Sequence, residues 1–434
     1  MFHLAIRGGK PIRRKTFPFY ATVGKEEKKA LGRVIDSGVL SKFLGSWHKD
    51  FYGGPEIRKL ETQWARFFKI KHAIAVNSAT SGLYCAVGAV GIEPGDEVIV
   101  SPYTMSASAT SPIIWGGVPV FADIEEDFFC LDPRSVEERL TSRTKAIIIV
   151  DLFGQPYDVQ RITAIARKKG IPVIEDAAQA TAATYRDRYA GTLGDLGVFS
   201  LNCHKHIQSG EGGVVVTNDD RLAERVRLIR NHAEAVVREK GEKDIVNMVG
   251  FNFRMTELEA AVNQCQLKKL SRFVRTRVAN CEYLSRQLRN IPALILPKVR
   301  PYASHVYYMQ PFRWNSEAAG FDRHTFVEAV RAELAPTQKN EDFGVRIWEG
   351  YCKPLYLLPM YQKKIAIGTK GYPFLGPQYT GSVDYSKGIC PVAEQMYEKE
   401  LFTSDLMTPG FTTRDLDDVV MAFQKVWKYR EELG

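Results

Sequence analysis

The amino-acid sequence predicts an α/β fold, with a large domain on a mostly parallel sheet and a smaller α+β domain after it. Two observations carry this expectation. Between residues 72 and 217 short apolar runs alternate with helical stretches, as when each strand is followed by a crossover helix. Beyond about Ile291 the composition shifts to Pro, Tyr and shorter strands.

Along the chain, "HAIAV" leads into "SATSGLYCAVGAV", "DEVIVSP" into "TMSASATSPIIW", and "VPVFADI" follows. "KAIIIVDLFG" precedes "YDVQRITAIARKKG"; "IPVIEDAAQA", "LGVFSLN" and "GGVVVTN" close the run. Strands this apolar are covered on both faces. Sheets of this kind bind ligands beyond the carboxyl ends of their strands. From Thr256 a long helix follows, in which Thr256 and Glu259 have capping-box spacing and apolar residues recur every three or four positions. "HVYYMQPFRW" reads as a strand of the second domain, and "TRDLDDVVMAFQKVWKYREEL" as an amphipathic closing helix opened by Asp415 or a neighbour. The expected division is an N-terminal segment over residues 1–20, a large domain over 21–290 and a small domain over 291–434.

Composition excludes several classes. With 434 residues, 45% of them hydrophobic, the chain builds a core without disulfides. Its seven cysteines are odd in number, scattered and free of any CxxC pair, which fits reduced thiols in a cytoplasmic protein rather than a zinc site. The net charge of +9 is spread out, and its longest basic patch is Arg13–Lys15, so nucleic acid is not an expected partner. A small anionic ligand suits that balance better. "MFHLAIRGGKPIRRK" lacks the apolar centre of a signal peptide. The uncharged run from Ala73 contains Asn77, Ser78, Thr80 and Ser81 and splits into strand and helix, so it reads as buried core and not as a membrane span.

Three clusters could carry chemistry. "NSATSG", Asn77–Gly82, lies at a strand-to-helix junction, where free N–H groups and the helix dipole favour an anion; a plain helix cap is the other reading. "VIEDAAQA" ends a buried strand with Glu175 and Asp176, of which alternation allows one to face a ligand and either to pair with an arginine. "SLNCHKHIQSGEGG", residues 200–213, is open to three readings. As a phosphate loop it lacks GxxxxGK[ST] and GxGxxG. As a metal site it offers His204 and His206 without a Cys or carboxylate close in sequence. The third reading makes Lys205 an amine that forms a Schiff base with an aldehyde cofactor. Together, an anion-binding turn, an Asp ending a buried strand and a Ser five residues before a Lys describe a pyridoxal 5'-phosphate site: a phosphate cup, a carboxylate for the ring nitrogen and an amine for the aldehyde.

In order and spacing, "LAIRGGKP", "VNSATSGL", "PGDEVIVSPYT", "VIEDAAQA", "GTLGDLG", "GEGG", "GFNFRMTELEAAV" and "CPVAEQM" resemble the DegT/DnrJ/EryC1/StrS family of sugar aminotransferases over nearly the whole chain. The resemblance implies a type I pyridoxal-phosphate aminotransferase fold. It also implies that Lys205 is the Schiff-base lysine and proton carrier, that Asp176 holds the pyridinium and that Gln179 sits beside the ring hydroxyl. Ala79, Thr80 and Ser200 would bind the phosphate, and Asn252 would reach the phosphate of a neighbouring subunit's cofactor in a homodimer with shared sites. Where relatives commonly place an aromatic on the ring, this chain has Met105, with Tyr103 nearby. Arg254 and His305 are candidates for substrate contact. The implied reaction moves an amine from glutamate or glutamine to a keto sugar, nucleotide-linked first and a keto cyclitol second. One branch of the family replaces the lysine with His and dehydrates sugars instead; Ser200 plus five lands here on Lys205. A non-catalytic homologue is a further alternative.

Overall fold

A computed structural model describes residues 3–434. Its large sheet has seven strands: β1 (His72–Val76), β2 (Glu97–Val100), β3 (Val118–Phe121), β4 (Thr144–Val150), β5 (Val173–Asp176), β8 (Leu196–Ser200) and β9 (Gly213–Thr217). A short hairpin, β6 (Thr184–Tyr185) and β7 (Arg188–Tyr189), interrupts the run. The strand order is β1-β9-β8-β5-β4-β2-β3. Strand β9 is antiparallel to both its neighbours, and every other pairing is parallel.

This topology decides where the polar clusters meet. Strands β1, β5 and β8 run in one direction, so the residues that follow Val76, Asp176 and Ser200 emerge at the same edge. Gly213 pairs with both Val76 and Ser200, and so begins β9 at that edge. A Cβ on Gly213 would lie 2.7 Å from the Ala79 nitrogen. Only glycine lets β9 start this close to the helix Ala79–Ala89.

Both sheet faces are buried, as the continuous apolar strands predict. Val98, Ile148, Ile174, Val198 and Val215 face one core, whereas Ile99, Ile147 and Ile149 face another, following the two-residue alternation of a strand.

A 32-residue helix, Glu257–Leu288, ties the two parts together. Its start is a capping box: the Thr256 hydroxyl accepts from the Glu259 N–H at 3.2 Å, and the Glu259 carboxylate accepts from the Thr256 N–H at 2.8 Å. Its far end supplies Cys281, Leu284 and Leu288 to the core of the second sheet. That sheet is antiparallel, in the order β10-β11-β13-β12, from β10 (Leu294–Ile295), β11 (Gln310–Trp314), β12 (Ile347–Glu349) and β13 (Leu401–Ser404). The strand expected across "HVYYMQPFRW" is confined to its second half. His305–Met309 instead follows the turn after β4, with Val306 N–H donating to Gly154 and Tyr308 N–H to Phe153, each at 2.8 Å. The closing helix is capped by Thr412, with Asp415 as its capping-box partner three residues on.

Two segments cross between the parts. Leu4 and Phe17 of the N-terminal segment are buried in the core around the second sheet. In return, Tyr356, Tyr361, Phe374 and Tyr385 pack into the large-sheet core. The Tyr385 hydroxyl donates to the Pro119 carbonyl of edge strand β3 at 2.6 Å, which covers part of an exposed sheet edge.

Candidate active site

At the end of β5 the two neighbouring carboxylates part. Glu175 turns away from the carboxyl edge and accepts the backbone N–H groups of Gly191, Leu193 and Gly194. Burial pushes it up to about 7 against those three donors. Its part is structural: it pins the turn before β8. Asp176 is 6% exposed and accepts from the Ser108 hydroxyl at 2.7 Å and the Ala178 N–H at 3.2 Å. Burial raises its pKa, while Ser108, Ala178 and the nearby charge of Lys205 hold it down.

Gln179 is fixed at both ends of its amide. Its Oε1 accepts from the Phe153 N–H at 2.9 Å and its Nε2 donates to the Tyr351 hydroxyl at 2.8 Å. Across the edge, Ser78 caps the helix Ala79–Ala89, its hydroxyl accepting from the Ser81 N–H at 3.0 Å, and the Gly82 N–H reaches the Ser78 carbonyl. Among the described residues the N–H groups of Ala79 and Thr80 have no acceptor, so both remain available to an anion. The cap and the anion site are therefore compatible. Ser200 ends β8, 4% exposed, its hydroxyl accepting from the Asn202 N–H.

The loop from Ser200 to Gly213 closes on itself. Leu201 N–H donates to Gly212, Cys203 to Gly210, Lys205 to Asn202 and Ser209 to Leu201. The turn this makes lays the Lys205 Nζ 4.3 Å from the ring centre of Tyr308. The flanking histidines separate: His204 is exposed, whereas His206 is buried with Nε2 3.0 Å from the Val306 carbonyl. Burial, with the charges of Arg277 and Lys205, pulls His206 down to about 3, so it is a neutral ring that donates through Nε2.

A cavity of about 320 Å³ opens beside Lys205, lined among others by Tyr20, Thr22, Arg277, Arg346 and Asp405. Of the other candidates, His305 is 3% exposed and stacked on Tyr307, with Nδ1 accepting from the Tyr307 N–H at 2.9 Å, and it does not line this cavity. Arg254 donates to the Asn252 side chain at 2.8 Å, and Asn252 is exposed. Met105 is 60% exposed, while Tyr103 is fully buried and packs edge-on against Tyr351.

Ser108, Tyr308 and Tyr351 were not singled out from the sequence. Ser108 lies inside "SPYTMSAS", but no local pattern says that its hydroxyl meets a carboxylate 68 residues later. Tyr308 and Tyr351 come from the second part of the chain and carry no local signal.

Residues 40–424 match the DegT/DnrJ/EryC1/StrS aminotransferase family. The chain is 32% identical to an L-glutamine:2-deoxy-scyllo-inosose aminotransferase of Streptomyces kanamyceticus, covering 99% of this chain and 98% of that one. It is 39% identical to the GDP-perosamine synthase of Caulobacter vibrioides over 60% of this chain and 69% of that protein. Among solved structures, DesV of S. venezuelae in complex with a ketimine intermediate superposes with a TM-score of 0.75 at 28% identity, covering 93% of this chain and 94% of that one. On the family match and the near-complete coverage, the chain belongs to the DegT/DnrJ/EryC1/StrS aminotransferase family.

Proposed function

We propose that the chain is a pyridoxal 5'-phosphate-dependent aminotransferase that moves an amino group from glutamate or glutamine to a keto sugar, in the first reading a nucleotide-linked one. The observation that carries it is the gathering at one sheet edge of a buried carboxylate, Asp176, at the end of β5, with an amine, Lys205, in the loop that leaves the adjoining parallel strand β8. His206, the neighbour that could stand for the histidine of a dehydratase, is turned into the core and committed to Val306.

The donor set fits the cofactor in chemical kind: a desolvated carboxylate, two unpaired N–H groups at a helix start, a buried hydroxyl and an amine. When bound, the cofactor supplies an aldehyde for amine exchange and a protonated ring that accepts the electrons left when a carbon loses its proton. Asp176, kept from water and oriented by Ser108, would hold a proton on the ring nitrogen. Ala79, Thr80 and Ser200 would hold the phosphate, and Gln179, clamped between Phe153 and Tyr351, would border the ring. Lys205 moves the proton at the substrate carbon. Met105, 60% exposed, would be the residue to pack its thioether on the ring.

Glutamine:inosose aminotransferases that align with 99% of this chain favour a keto cyclitol as a second reading of the acceptor. The perosamine synthase match supports the nucleotide-linked sugar. For assembly, the exposed Leu40, Leu44, Trp47, Ile245 and Val249 support a homodimer, in which Asn252 would reach the neighbouring site. Among the described residues no helix is long and apolar enough to cross a membrane.

The test is the absorbance of the purified protein with pyridoxal 5'-phosphate, titrated in turn with L-glutamate and L-glutamine, with Lys205→Ala as control. A visible band that bleaches with one donor and is lost or altered in the variant supports the reading. A band indifferent to both supports the dehydratase branch, and no band at all overturns the reading. Product mass spectrometry with a nucleotide-linked keto sugar and a keto cyclitol then separates the two acceptors.

A further inference from the structure

We propose that Arg346 seats the carboxylate of the amino donor, with Asp405 as the counter-ion it shares or releases. This inference rests on the aminotransferase reading above and names the residue that would recognise its donor.

Arg346 stands immediately before β12 and Asp405 immediately after β13, and the Asp405 N–H donates to the Arg346 carbonyl at 3.1 Å. Both side chains line the cavity beside Lys205. Asp405 bridges two arginines, Arg277 at 3.1 Å and Arg346 in closer contact. The two are not equivalent. Arg277 also donates to the Tyr307 and Tyr308 carbonyls at 3.0 and 2.9 Å, so its charge is spent on holding the backbone under Lys205. Among the described residues the Arg346 side chain pairs with one carboxylate, Asp405, and otherwise lies 5.8 Å from the ring centre of Trp348. Its side chain is 22% exposed, twice the 11% of Arg277. A guanidinium has five N–H donors arranged to grip a carboxylate through two parallel bonds. Most of those on Arg346 are free.

Charge and position agree. Two guanidiniums and the Lys205 amine face this cavity against one carboxylate, Asp405, with Cys203, His204, the neutral His206 and Tyr20 as its other titratable neighbours. The balance invites one further anion. Arg346 also lines an adjoining cavity of about 290 Å³ with Tyr308, the ring beneath the Lys205 amine. A five-carbon amino acid held by its carboxylate at Arg346 therefore lies in the same chamber as Lys205. An uncharged keto-sugar ring offers Arg346 no carboxylate, but a nucleotide-linked sugar offers phosphate. The test must tell these apart.

The experiment uses the holoprotein and follows cofactor absorbance against L-glutamate and L-glutamine without acceptor, then acceptor dependence at saturating donor, for wild type, Arg346→Gln and Arg346→Lys. Losing a charge-assisted carboxylate contact predicts a half-saturating donor concentration about ten- to a hundredfold higher in Arg346→Gln. Arg346→Lys should fall between, and the cofactor band and acceptor KM should stay unchanged. An unchanged donor dependence in Arg346→Gln, in a wild type that does respond, overturns this inference alone. So does a rise in acceptor KM without one for the donor, which would assign Arg346 to a phosphate. A wild type that responds to neither amino acid overturns the proposed function, and this inference with it.

Discussion

His206→Gln should make the protein more resistant to acid. His206 is buried, its Nε2 donates to the Val306 carbonyl, and its Nδ1 has no partner. The charges that face it, Arg277 and Lys205, oppose a second proton, as does the desolvation of the ring. Its pKa therefore falls from an ordinary 6.5 to about 3 on folding. A depressed pKa means stability that is fully present above the unfolded value and lost as pH falls towards the folded one. Between pH 6.5 and about pH 4.5 the unfolded chain binds a proton at this ring and the folded chain does not. At about 1.4 kcal/mol per pH unit, His206 withdraws roughly 3 kcal/mol over that window. Glutamine can place its amide N–H where Nε2 stands and does not titrate. Urea unfolding of wild type and variant at pH 8 and pH 4.5 measures the difference directly, and other titrating groups cancel between the two proteins. We expect the variant to be less stable by about 1 kcal/mol at pH 8, from the imperfect replacement of one hydrogen bond. At pH 4.5 it should be the more stable by about 2 kcal/mol. Parallel pH dependences would refute a buried neutral His206, and with it the argument that this ring is withdrawn from the chemistry at Lys205.

Gly213→Ala places a methyl group 2.7 Å from the Ala79 nitrogen and the Ser78 carbonyl carbon. We expect a loss of about 1–3 kcal/mol from overpacking, together with weaker retention of pyridoxal 5'-phosphate, since the displaced N–H belongs to the proposed phosphate site. Melting temperature and equilibrium dialysis read the two effects, and dialysis identical to wild type would detach that helix start from the cofactor. Ser108→Ala removes the donor 2.7 Å from Asp176. Burial already raises this carboxylate, so losing a bond to its charged form raises it further. The acid limb of the kcat/KM profile should then move to higher pH, and an unmoved limb would show that Asp176 does not control it.

Local order accounts for what the sequence alone determined. Strand and helix periods, the capping box at Thr256 and the position of Lys205 five residues after Ser200 are properties of neighbouring residues, and they survive in the structure. The alternating run also implied which ends of the strands would gather, because parallel strands joined by crossovers share their carboxyl edge. Contacts between distant parts of the chain were not legible. The sequence allowed either Glu175 or Asp176 to face a ligand; the turn after β7, which offers Glu175 three N–H groups, leaves Asp176 for the site. His305 stood in an apparent strand, but the Phe153–Gly154 turn holds the following backbone in a loop and stacks the ring on Tyr307. Tyr308 beneath Lys205 and Arg346 at the cavity wall come from the second sheet's side of the chain. The turn after β4, which accepts the Tyr308 N–H, and Arg277 of the long helix, which pairs with Asp405, bring them to the first, because hydrogen bonding and burial at the sheet edge depend on which segments meet in space and not on their spacing along the chain.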